Sequence, residues 1–202
     1  LQRFGDRYCC MDKIVMWLKI AVSCLPAMLI GLPLNDWLDK HFYNPTVVAL
    51  MLLLYGAGFL FVERYNRSRK PRVNSIAALR WSDALLIGVF QVLALIPGTS
   101  RSGATILGGI LIGTSREVAA EYTFFLAVPV MFGASLLKIV KFGAISGTEL
   151  GVLLVGMAVA FGVSILAIRF LMGYIRKHDF TAFGWYRIGL GLLVLLYFYV
   201  IR

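Results

Sequence analysis

Apolar residues run in blocks along this chain, and polar residues gather between the blocks. A helix that crosses a hydrocarbon core of about 30 Å needs about 20 mostly apolar residues. Five blocks are long enough: residues 14–34 with Pro26 inside, 45–62, 119–140 with Pro129 inside, 150–171 and 181–201. A stretch between the second and third does not fit. Residues 84–96 are apolar but too few, PGTSRSG follows, and residues 104–112 make a second short apolar run. At 1.5 Å per residue neither piece crosses alone. The pattern predicts an all-α polytopic membrane protein with five transmembrane helices and one re-entrant helical hairpin.

Charge orients the spans. The chain is 60% apolar and carries 20 Lys and Arg against 10 Asp and Glu, a net +10. A disordered chain or a soluble domain does not have this composition. The positive surplus, which in a soluble chain would suggest nucleic acid, is read instead as basic loops at the cytoplasmic face. With the first loop inside, thirteen basic residues are cytoplasmic, among them Arg64, Arg67, Arg69, Lys70, Arg72, Arg80 and Arg116; only Lys40, Lys138, Lys141 and Arg202 are external. Lys19, Arg101 and Arg187 fall within membrane segments. The count works only if the 84–112 segment enters from the cytoplasm and returns to it. Trp17, Trp37, Trp81 and Trp185 all fall near span ends, where indole rings prefer the headgroup region. Cys9, Cys10 and Cys24 make no framework and no zinc pattern, and read as free thiols. The polar first dozen residues are no secretory signal, and the chain opens on Leu, which suggests a fragment.

The loop PGTSRSGAT, Pro97 to Thr105, carries the chemistry. A broken helix inside a membrane is costly unless its backbone lines a polar cavity or binds something. Arg101, at the tip, would lie near the midplane, where a charge is a functional-site hypothesis by default. The residues suggest an anion. Gly98 and Gly103 allow tight turns. Free N–H groups at the start of the 104–112 helix point into the loop. Ser100, Ser102 and Thr105 add hydroxyls, and Arg101 adds a planar fork suited to phosphate oxygens. Two neighbouring chemistries are excluded. Gly98 and Gly103 have the spacing of a nucleotide P-loop, but Ala104 replaces its Lys. Ser100-Arg101 resembles the opening of lipid phosphatases that use a nucleophilic His six residues after the Arg, where this chain has Leu107.

Other residues stay open at this level. Thr114-x-x-Glu117 reads as a capping box for the third span, with Arg116 at the interface. Gln91 could bond substrate or a neighbouring helix. Glu121, early in the third span, could pair with Arg116 or Arg101. Arg187 could reach the cavity or snorkel to the inner face. Asp83 and Trp81 mark the membrane surface, and His41 and His178 sit in solvated loops. Gly56, Gly58, Gly108, Gly109 and Gly113 suit close helix approach.

Asp83-ALLIGVFQVLALIPGTSRSGATI, then GTSREVAAEYTFFLAVPVMFGAS and Trp185-Tyr186-Arg187, resembles the undecaprenyl-diphosphate phosphatase family, also known as bacitracin-resistance proteins. The family signature PG-x-SRS-x-x-T is met at Pro97, Gly98, Ser100, Arg101, Ser102 and Thr105, and the likeness runs from about Leu18 to the C-terminus. The resemblance implies hydrolysis of a polyprenyl diphosphate carrier lipid of cell-wall synthesis, in the inner membrane of a bacterium. It implies Arg101, Ser100, Ser102 and Thr105 as catalytic residues and Gly98, Thr99, Gly103 and Gln91 as substrate-binding, with Glu121 and Arg187 as further candidates. It implies an inverted repeat in which residues 81–202 form a complete second half and residues 1–80 the last two spans of the first. The acidic and histidine motifs of the family's first hairpin do not occur here, so an N-terminally truncated member is expected, its activity alone in doubt. A divalent cation, magnesium or calcium, is implied as cofactor, held by acids outside this chain. The expected partners are the lipid substrate, the membrane and a second copy of the chain. Transport of a lipid phosphate is the rival reading, since broken helices at the midplane also serve transporters.

The basic count predicts that residues 63–80 are cytoplasmic and residues 35–44 external. Single cysteines at Ser68 and Asn44, in a background lacking the native three, are to be labelled on intact cells with an impermeant thiol reagent. Labelling at Asn44 and not at Ser68 is expected; the reverse would overturn the topology.

Overall fold

The structure, a computed structural model, describes residues 2–142, 147–176 and 178–201, with the side chains of 2–12, 32, 35, 36, 39, 137, 140–142 and 201 outside that description. Cys9, Cys10, Arg3, Arg7 and Lys141 are therefore placed by backbone alone, and Lys177 and Arg202 lie outside the described residues. The helices are α1 (Gln2–Phe42), α2 (Pro45–Asn66), α3 (Trp81–Val92), α4 (Arg101–Leu111), α5 (Arg116–Phe142), α6 (Gly147–Ile175) and α7 (Thr181–Leu196). A 3₁₀ turn, Leu93–Leu95, ends α3, and a π turn, Tyr197–Ile201, ends α7. The chain is an all-α polytopic membrane protein: α1, α2, α5, α6 and α7 each contain a stretch long and apolar enough to span, and α3 and α4 are short.

The helices overrun the predicted spans because length in hydrocarbon sets only a minimum. Residues 35–42, expected as an outer loop, continue α1. The turn comes only at Tyr43–Asn44, where the Asn44 side chain caps the Val47 N–H at 2.9 Å and Pro45 opens α2. His41 thus sits on a helix end, its ring stacked on Trp37.

α3 and α4 form the hairpin. Its two ends are sewn together by backbone. Arg72 N and Val73 N donate to Gly113 O at 2.8 and 3.1 Å, and Ser115 N donates to Val73 O at 2.9 Å. Entry and exit therefore lie on one side, as the charge count requires. Asp83, read from sequence as marking the membrane surface, is buried within the protein. It accepts from Arg72 Nη2 at 2.6 Å and from Arg80 N at 3.0 Å, because a carboxylate at a helix start is held by free amides and by the nearest cation. Gly113 is not a close-approach residue: its φ of +96° makes the turn that ends the hairpin. Gly108 is one, since a Cβ there would run into the Phe90 ring of α3.

α3 runs beside α1, and a polar chain joins them. Ser23 Oγ donates to Ala84 O at 2.6 Å and lies 2.7 Å from Tyr122 OH on α5. Lys19 caps the same seam with Nζ 2.6 Å from Leu79 O. α2 and α7 touch through small residues: a Cβ on Gly56 would lie 2.9 Å from Gly184 O, and one on Gly191 3.0 Å from Ala49 O. In lipid, such backbone approach supplies the packing that water supplies elsewhere. Gly58, by contrast, makes only ordinary contact. α6 is exposed on every face from Gly151 to Phe170 and enters the core only at Ile175.

One ion pair near the base of the hairpin was not foreseen. Glu63 on α2 is 4% exposed. Arg116 binds both its oxygens through Nε at 2.9 Å, Nη2 adds a further bond to Oε2, and Phe180 N donates to Oε1 at 3.1 Å. Glu63 so fastens α2, α5 and α7 together. The capping box expected at Thr114 and Glu117 does not form. Ser115 caps α5 instead, accepting from Val118 N at 3.2 Å, and Glu117 pairs with Arg176 at the surface.

Removing one partner of a buried pair strands the other charge. Glu63→Gln should lower stability by about 2–3 kcal/mol, under the fully buried figure because a third of Arg116 is exposed. Glu117→Gln should cost under about 1 kcal/mol. Thermal unfolding of the two variants in detergent checks the contrast; equal shifts would contradict the assigned role of Glu63.

Candidate functional site

The loop joining α3 to α4 leaves helical geometry at Ile96, and Thr99 N still reaches Ile96 O at 3.2 Å. Gly98 then takes φ +90°, and a Cβ there would stand 2.6 Å from Val48 O, so the loop lies directly on the backbone of α2. The fifteen residues from Val48 to Glu63 rise roughly 22 Å, which carries the loop past the middle of a 30 Å core.

Ser100 has φ +27°, a conformation that costs a non-glycine residue about 1–3 kcal/mol. It is the N-cap of α4: its Oγ accepts from Gly103 N at 3.2 Å and lies 3.2 Å from Ser102 Oγ. The helix begins at Arg101, three residues earlier than the apolar pattern suggested, because capping by Ser100 tolerates polar residues in the first turn. The amides of Arg101 and Ser102 thus open the helix, and α4 directs its positive end at the loop. Thr105 is turned away: its hydroxyl donates to Arg101 O and Ser102 O at 3.0 and 3.2 Å and accepts from Thr123. It braces the first turn and has no free proton for a ligand.

The Arg101 guanidinium makes no hydrogen bond or ion pair to any described residue; Cys24 of α1 is its electrostatic neighbour. Arg187 does not snorkel. It reaches in from α7 over the Phe59 ring, and its Nη1 lies 3.5 Å from where a Cβ on Gly103 would stand. That nitrogen is buried without a partner. So are both amide atoms of Gln91 and the hydroxyl of Thr99. Glu121 pairs with neither Arg101 nor Arg116, since Arg116 is taken by Glu63. The loop therefore gathers Gly98, Thr99, Ser100, Arg101, Ser102 and Gly103 with Arg187, while Glu121 forms no bond to them.

Unsatisfied buried donors cost about 1–3 kcal/mol each. Two guanidinium groups, a helix start and two serine hydroxyls with no acid among them make an anion site. This donor set does not fit a divalent cation, which needs oxygen ligands. Sequence reasoning left Arg187 open and missed Glu63. The signal for Arg187 was a lone charge within an apolar span; Glu63, next to Arg64 at a span end, gave none.

The family described as bacitracin resistance protein BacA matches residues 2–193. The chain is 59% identical over 192 residues to an undecaprenyl-diphosphatase of Acetivibrio thermocellus, covering 95% of this chain and 71% of that protein. It is 54% identical to undecaprenyl-diphosphatase 1 of Clostridium acetobutylicum, covering 98% and 73%. It is 58% identical to an undecaprenyl-diphosphatase of Desulfitobacterium hafniense, covering 93% and 68%.

Two glycines separate support of the loop from occupancy of the site. Gly98→Ala meets both a clash and a positive φ, and should cost at least about 1–3 kcal/mol of thermal stability. Gly103→Ala has room in the fold, at 3.4–3.5 Å from its neighbours, but its methyl stands against Arg187 Nη1. It should melt like the parent and gain less protection from added inorganic diphosphate. Undiminished protection would place the anion elsewhere.

Proposed function

We propose, from the premise that this chain belongs to the bacitracin resistance protein BacA family, that the 97–103 loop grips the diphosphate head of a polyprenyl lipid. The reaction is hydrolysis of undecaprenyl diphosphate to undecaprenyl phosphate and inorganic phosphate, which returns the carrier lipid to use and underlies bacitracin resistance. The observation that carries the site reading is Arg187 Nη1, buried and unpartnered beside Gly103, on the same loop as the unpaired Arg101.

In this reading the two guanidinium groups clasp the phosphates, and the α4 amides donate to one terminal oxygen. Water adds to the terminal phosphorus and passes one proton to a phosphate oxygen, the anhydride P–O bond breaks, and the electron pair moves onto the lipid phosphate. Arg101 faces the charge that grows there, a preorganised contact in a medium of low dielectric. Ser100 and Ser102 bond to each other, and Ser100 also accepts from the Gly103 amide, which holds both hydroxyls where they can position phosphate oxygens. Gln91 and Thr99, buried on the hairpin arm and at its tip, supply neutral donors to the bridging region. The protein is multi-pass in the membrane; we place it in the bacterial inner membrane, its basic loops inward.

Arg101→Ala should lower phosphate release in detergent by about 100-fold or more and leave thermal unfolding unchanged. Arg101→Lys should also lose at least about tenfold, because an ammonium cannot make the two-pronged contact. Near-normal release by the Lys variant would refute bidentate binding. Substrate binding without phosphate release in any variant would favour transport, since detergent removes sidedness.

A further inference from the structure

A cavity of about 220 Å³ opens between α1 and α3, lined by Pro26, Ile30, Val89, Phe90, Val92 and Leu93. Every lining residue is apolar. An apolar cavity of about 150 Å³ is enough to hold a benzene ring. The Phe90 ring forms the floor, packed against Gly108 of α4. Ile30, Val89 and Leu93 are exposed, so among the described residues the cavity is open on its side. At its upper end α1 closes on the hairpin, where a Cβ on Gly31 would come within 3.1 Å of Leu95 Cδ2. Pro97 and Gly98 follow directly. The groove thus runs up one arm of the hairpin and ends beneath the anion loop that the same arm leads into.

We infer that this groove seats the first isoprene units of the substrate's prenyl tail, the part covalently next to the diphosphate. The inference rests on the phosphatase reading of the loop. An amphiphile whose head is held at 98–103 must lay its nearest carbons against whatever borders the loop. Leu93 lies just before that turn and the 220 Å³ space lies against it. The apolar lining accepts hydrocarbon and offers nothing to a headgroup. The groove would then act as a length sensor, rewarding diphosphates that carry at least one or two isoprene units.

The test compares the chain with Val89→Trp and Ile30→Trp, which fill the groove from opposite walls at exposed positions. In detergent, KM for the C55 diphosphate should rise about tenfold in each variant. KM for methyl diphosphate, which carries no isoprene unit to place in the groove, should stay within twofold. Equal effects on both substrates, or none on either, would overturn the inference. A C55 diphosphate with a diazirine on its first isoprene unit supplies a readout that needs no turnover. It should label residues 26–30 or 89–93, with competition by polyprenyl diphosphate and not by phosphatidylglycerol. Equal competition by the phospholipid would mark an ordinary acyl-chain groove and sink the proposal. Labelling in the groove without phosphate release from any substrate would leave the tail assignment standing and count against the phosphatase reading instead.

Discussion

Lipid tails cannot hydrogen-bond a peptide group, so a helix broken inside hydrocarbon must find its partners in protein or in a ligand. The structure meets this constraint unevenly. Thr99 N is turned back onto Ile96 O, Gly98 presses on the backbone of α2, and Ser100 bends into a strained conformation to cap α4. What remains, the two guanidinium groups and several side-chain polar atoms, is left for something that arrives. The rest of the fold can be read as support for that one exposed debt: α1 walls one side, α2 underlies the tip, and α7 brings Arg187 to the opposite side.

Charge is sorted along the hairpin. The buried acids, Glu63 and Asp83, sit toward its base, each joined to an arginine. At the tip Arg101 and Arg187 have no acid at all among the described residues. Each buried acid at the base is therefore neutralised by its arginine, and the tip keeps its positive charge with no acid beside it. A mobile hairpin with these cations would let them drift toward the nearest carboxylate. The backbone seam at Val73, Gly113 and Ser115 prevents that by holding both arms in register.

The spans were legible because hydropathy over 20 residues is a summed property, robust to errors at single positions. The hairpin was legible for a different reason: two short apolar runs have no other way to fit a bilayer whose loops are so unequally charged. Single contacts were not legible. Glu63 and Arg116 are 53 residues apart, and Ser23 and Tyr122 99 apart, with no local pattern to announce either pair. Arg187 illustrates the limit. Its position two turns into a span left snorkelling and inward reach equally open, and the missing side chain at Gly103 leaves room for its guanidinium. Cap placement failed by small steps, at Ser115 for Thr114 and at Arg101 for Ala104, since neighbouring hydroxyls offer near-equal starts.

Tying both arms at the base has a consequence for how the chain can vary in length. With the ends clamped, the arms act as a ruler from the seam to the tip. One residue added within α3 would lift the loop about 1.5 Å and swing it about 100° around the helix axis. Gly98 would then leave Val48, and the loop would face a different neighbour altogether. Substitutions at the exposed α3 positions, such as Leu85, Leu86 and Val89, can be absorbed by lipid, but insertions and deletions in the arms cannot. The segment from Trp81 to Leu111 is thus fixed in its count, the reverse of what is usual for a connection between two spans.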